Sequence, residues 1–252
     1  MNPLFRTFSV FLLLCSAQTN AQVINIENAR MQTDTTGWKG EANGNFALVN
    51  NGVKLWLAGA DAHIQYKTKK DLWLGIVQYS LQKSPQQKFS DQALAHIRYN
   101  RKIGRSLRWE AFTQLQNNNV NNIQRRFLLG TGPRFKLADT KIIHLYVATA
   151  VMYEFEKETG FPKITHSDMR SSNYISFTLV PGPNVDLSAT TYFQPLFKDL
   201  SDHRFLTQAR LKVKMGKHSA LNLRWFHLFD TRPAGNSPKE VYALSMGIGF
   251  EF

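Results

Sequence analysis

The seven histidines, His63, His96, His144, His166, His203, His218 and His227, are the first candidates for chemistry. Imidazole serves as a general base and is the commonest metal ligand. No two of them form the close pair from which zinc sites are built, so no metal and no cofactor is expected. Asp61 and His63 share one strand face at i, i+2. With a serine from a neighbouring strand they would imitate a hydrolytic triad, which is defined by geometry rather than chain order. The plainer reading, a hydrogen-bonded interior network, is preferred, and no catalytic residue is assigned. Gly130-Thr131-Gly132-Pro133-Arg134 has the glycines of a phosphate loop. It lacks the following helix and the lysine with serine or threonine. Glycine on an inner face, or where strands bend, accounts for it better. What remains is electrostatic. The row Arg210, Lys212, Lys214, with Arg126 and Arg134, could draw in anions by focusing positive potential. The same row could be the neutralised wall of a filled barrel, and that structural reading is preferred.

The elements that must carry these residues are strands. From Trp38 to Phe252 apolar residues recur with period two. The pattern gives an all-β fold: a transmembrane antiparallel β-barrel of about twelve strands, each with room for the 9–11 residues that a tilted membrane strand needs. The eighth strand is expected over Arg170 to Val180, the ninth over Val185 to Phe193 and the tenth over Arg204 to Met215. Connections after the even-numbered strands read as short. Those after strands seven, nine and eleven read as longer. Outer-membrane barrels have short periplasmic turns and longer outer loops, which places both termini in the periplasm.

Two strands state the sidedness most clearly. In the last, Tyr242, Leu244, Met246, Ile248, Phe250 and Phe252 face one way, and Ala243, Ser245, Gly247 and Gly249 the other. In the fifth, Trp109, Ala111 and Leu115 oppose Arg108, Glu110, Gln114 and Gln116. A lysine or arginine on the lipid face near the midplane costs about 2–4 kcal/mol, so the charged face belongs inside. The expected lumen-lining set is Asp61, His63, Arg98, Arg108, Glu110, Arg126, Arg134, Arg210, Lys212, Lys214 and Arg224. Glu41, Asp61, Glu110, Glu154 and Asp186 are candidate partners for the cations.

The N-terminus reads as an export signal. Arg6 supplies the charge, Phe8 to Leu14 the apolar run, and Thr19 and Ala21 the small residues before a cleavage site. Residues 1–21 are therefore expected to be removed, leaving 22–37 as a periplasmic or plug segment and 38–252 as the barrel. The one cysteine, Cys15, lies in the signal, and Leu14 before it argues against lipoprotein anchoring. The full chain carries 31 basic and 18 acidic residues; without Arg6 the balance is 30 against 18, or +12. An exported basic chain meets anionic lipid and lipopolysaccharide rather than nucleic acid. No stretch after Ala21 is long and apolar enough for a transmembrane helix, which leaves a closed barrel as the way to satisfy every backbone group in lipid. The aromatic Phe252 ending an alternating strand resembles the signal read by the outer-membrane barrel assembly machinery, a second expected partner.

Four stretches carry a wider resemblance: NIENARMQTDTTGWKG from Asn25, HIRYNRKIGRSLRWEAFTQLQ from His96, RFLLGTGPRFKL from Arg126 and TTYFQPLFKDLSDHR from Thr190. Together they resemble the salt-induced outer membrane proteins, β-barrels whose domain is of unknown function. The resemblance implies a signal peptide and an outer-membrane barrel and supplies no substrate or catalytic residue. The expected role is a non-enzymatic envelope component related to salt or osmotic stress. The alternatives are a narrow anion-preferring channel and an outer-membrane hydrolase. Oligomeric state is open.

Overall fold

The computed structural model describes residues 36–50, 54–84, 88–216 and 219–250. The expected signal peptide, nearly all of the segment 22–37, and Phe252 lie outside the described residues. Twelve strands follow one another in chain order: β1 Gly37–Asn50, β2 Lys54–Lys67, β3 Asp71–Lys83, β4 Lys88–Lys102, β5 Leu107–Asn118 and β6 Ile123–Asp139. They continue as β7 Ile143–Glu158, β8 Thr165–Gly182, β9 Val185–Leu196, β10 Asp199–Lys214, β11 Ser219–Asp230 and β12 Glu240–Phe250. Each pairs antiparallel with its sequence neighbours in one 12-stranded sheet. The sheet curls on itself as a barrel: the Tyr174 hydroxyl on β8 donates to Glu110 Oε2 on β5, three strands away, at 2.7 Å.

Period-two patterning decides which way each side chain points. On β12 the outer face carries Tyr242, Leu244, Met246 and Ile248, between 74% and 62% exposed. Register aligns Trp38, Tyr66, Trp73 and Tyr99 in one row across β1 to β4. Their rings touch in pairs, Trp38 with Tyr66 at 4.7 Å and Trp73 with Tyr99 at 4.5 Å. Exposed Trp109 lies on the outer face beside this row, with Phe46 and Trp56 near the opposite rim. An outward apolar band bounded by aromatics is what a hydrocarbon slab selects, because in water so large a patch would drive aggregation.

Two sides can be named by their connections. The even side holds the turns after β2, β4, β6, β8 and β10, and the odd side those after the remaining strands. The expected long connection after the ninth strand is absent: β9 runs to Leu196 and β10 starts at Asp199. β8 likewise begins at Thr165 rather than Arg170. Residues assigned to loops are strand extensions, with a register shift between Asp199 and His203 that absorbs the irregular sequence there. The connection from Thr231 to Lys239 is a true long loop. It bends over the odd mouth, burying Ala234 and bonding Gly235 N to Glu158 Oε2 at 2.7 Å.

The glycine run of β6 has a packing role. A Cβ on Gly132 would lie 2.0 Å from the Thr149 carbonyl oxygen on β7, so only glycine lets the two backbones approach. A Cβ on Gly130 would meet the Phe112 ring at 2.4 Å.

Candidate functional site

The site is the lumen, and on the odd side side chains fill it. On the odd side, Glu154 of β7 lies among three arginines from three other strands. Arg204 Nη1 is 2.5 Å from Glu154 Oε1, Arg126 Nε 3.0 Å from the same oxygen, and Arg170 Nε 2.7 Å from Oε2. The side chain of Glu154 is 2% exposed and that of Arg170 4%. Further carboxylates complete the network. Arg126 also pairs with Glu156, Arg204 Nε with Asp230 at 2.6 Å, and Arg170 Nη2 with Asp202 at 2.9 Å. Isolated charges could not stay buried in this way; each arginine has at least two carboxylates in reach, which offsets the desolvation.

A second cluster forms a floor nearer the middle. Glu110 of β5 accepts from Arg134 Nη1 at 3.2 Å and from Tyr174, while Arg98 Nη1 lies 3.5 Å away. Arg134 sits 4.0 Å over the Tyr146 ring, and Arg98 5.3 Å over that of Phe112. The Phe112 ring stacks on His96 at 5.9 Å, in the space that Gly130 leaves open. Between floor and odd network lies a cavity of about 80 Å³, lined by His96, Gln114, Gln116, Glu154 and Arg204 and roofed by Pro233 and Ala234 of the long loop. That volume holds a few waters.

The sequence-named residues divide between these regions. Arg98, Glu110 and Arg134 meet in the floor, and Arg126 in the odd network. Arg108, Arg210, Lys212, Lys214 and Arg224 lie on inner-face positions toward the even side, where Arg210 faces Arg224 across the β10–β11 ladder. Among the described residues Arg210 pairs with Asp186, at 3.6 Å, the edge of range. Asp61 and His63 lie on the inner face of β2. His63 Nδ1 is 3.3 Å from Glu41, and among the described residues His63 Nε2 has no hydrogen-bond partner, so no described serine hydroxyl completes a relay there. Of the candidate acidic partners, Glu110 and Glu154 are the two that hold buried arginines.

Arg170, Glu156, Asp202 and Asp230 were not singled out by sequence reasoning. A signal was present: Glu154, Glu156 and Glu158 alternate, as do Asp202 and Arg204, which continues the strand period past the apparent strand ends.

The fold has known counterparts. A NanC porin is similar at 10% identity and a TM-score of 0.51, covering 85% of this chain and 98% of the porin. The translocator domain of the autotransporter NalP from Neisseria meningitidis is similar at 10% identity and a TM-score of 0.51, covering 99% and 97%. At such identity the likeness is one of architecture, that of outer-membrane β-barrels. No curated protein matches the sequence. The family model described as "Protein of unknown function, DUF481" matches residues 19–252, and the chain belongs to that family.

Proposed function

We propose that this chain is a non-enzymatic outer-membrane β-barrel whose lumen is sealed on the odd side by an ion-paired plug, and that it serves the envelope under salt or osmotic stress. One observation carries the plug: Glu154, buried and held by Arg126, Arg170 and Arg204. A conducting pore keeps its wall charges hydrated, whereas these are buried and mutually neutralised. The stress role rests on the family resemblance. Export with cleavage near Ala21, even-side turns in the periplasm, assembly through the strand ending at Phe252, and contact with lipid and lipopolysaccharide belong to the same reading.

Planar-bilayer recording tests it. The refolded mature barrel is expected to show no steady conductance, and Glu154→Ala to show opening events. A stable conductance from the unaltered protein rejects the plug. A second reading, a narrow anion-preferring channel, is favoured by the facing Arg210 and Arg224. It requires steady current with an anion-selective reversal potential in a salt gradient; cation selectivity or silence removes it.

A further inference from the structure

On the even side of the lumen like charges face one another across the ladder on two separate walls. On the first wall Lys102 is registered against Arg108, and Arg108 against Arg134, so three cations occupy one row of β4, β5 and β6. Arg108, Lys67 and Lys136 lie near enough to repel the Lys102 ammonium, and Asp139 near enough to attract it. On the second wall Arg210 is registered against Arg224, and Lys212 and Lys214 continue the same inner face. Side chains directly opposite stand about 4.5–5.5 Å apart, and like charges there are destabilising. The acidic groups facing these walls are few. Glu110 pairs with Arg134 at 3.2 Å, Asp139 binds Lys136 at 2.8 Å and also His144, and Asp186 is registered against Lys212 and lies 3.6 Å from Arg210.

The odd side shows that the same barrel can set carboxylates beside each arginine, so the even-side excess is not forced by the fold. Its cations are also wet: Lys102, Lys214 and Arg224 are exposed, while Glu110 and Arg134 below them are buried. The result is a basic cup with a closed floor. Residues of β4 and β5 (Arg98, Gln114) and of β10 and β11 (Leu206, Leu228) line one cavity, so the two walls face each other across the lumen. A ligand that relieves both must carry several anionic groups along its length. Guanidinium forks at Arg108, Arg210 and Arg224 suit phosphate oxygens, which they bind two at a time.

We propose that the even side of the lumen is a binding cup for a ligand bearing several phosphates, held between the Lys102–Arg108 wall and the Arg210–Arg224 wall. The phosphates could belong to a soluble polyphosphate or to lipid headgroups, and the test separates them. It also separates the cup from the plug, since calorimetry reads the first and conductance the second.

The mature barrel in uncharged detergent is titrated calorimetrically with sodium tripolyphosphate and, separately, with a short-chain phosphatidylglycerol. Saturable tripolyphosphate binding is expected. It should weaken tenfold or more in Lys102→Gln/Arg108→Gln and again in Arg210→Gln/Arg224→Gln, with a shallower salt dependence in each. Arg101→Gln, on the outer face of the same rim, should leave it unchanged. Heat-modified gel mobility checks that each variant is folded; Lys102→Gln/Lys214→Gln, both exposed, replaces any that is not. Binding of the phosphatidylglycerol alone, lost in the same inner-wall variants, assigns the cup to lipid headgroups. No binding of either probe, or binding that the inner-wall variants leave intact, overturns the proposal.

Discussion

The two sides of the lumen are built from the same strands and the same residue types, yet they treat charge in opposite ways. On the odd side Arg126, Arg170 and Arg204 are buried around Glu154, with Glu156, Asp202 and Asp230 completing the pairing. On the even side Lys102, Arg108, Arg210 and Arg224 face other cations in the ladder and stay at least partly wet. Alternation explains why all of them point inward. It does not explain the difference, which comes from what stands opposite each one. Where a strand extends past the band, as β10 does, an added residue, Asp202, comes within 2.9 Å of Arg170. Where the strands end in tight turns, cations accumulate. The odd side is therefore the part that holds the barrel closed, and the even side the part with charge to spare for a ligand.

Substitutions can break or sharpen that contrast. Glu154→Ala should have the largest effect, since it leaves three arginines buried around a missing charge. A loss of about 3–5 kcal/mol is expected, read as a lower urea midpoint for the heat-modifiable band. Tyr174→Phe removes one hydrogen bond to the Glu110 carboxylate in the floor while keeping the ring. It should cost about 1.5–3 kcal/mol by the same assay. Arg224→Ala should have the smallest effect, leaving the midpoint unchanged or raising it slightly, because it removes a like-charge pair with Arg210. A loss as large as that of Glu154→Ala would mean the even side is a structural network too, and the contrast would fail.

Much of this was legible in the sequence. The sidedness of β5 and β12 follows from period-two patterning, because the outward face carries no charge from Trp109 to Leu115 or from Tyr242 to Ile248, and charge on lipid is costly. Strand starts at Leu107, Ile123 and Val185 agree with the turn residues before them. The glycines of β6 read as structural, and the Gly132 backbone contact bears that out. The hidden part was pairing. Glu154 alternates like any lumen residue, but that it meets Arg204 from β10, 50 residues away, depends on barrel curvature. Asp202 and the start of β8 were hidden for a different reason: polar strand extensions beyond an apolar band look like loops. The long connection expected after the ninth strand came from that same confusion.

Side-selective labelling tests the central claim, a lumen sealed on the odd side and open on the even side. The proposed mature chain has no cysteine, so single cysteines report cleanly. Lys212→Cys places a thiol in the even-side cup, and Ser172→Cys replaces a buried residue lining the cavity beneath the odd network. A membrane-impermeant maleimide added to intact cells should label neither. After the periplasm is opened it should label the cysteine at 212 and still spare the one at 172. Labelling at 172 as fast as at 212, from either side, would show a through-going lumen and contradict the account.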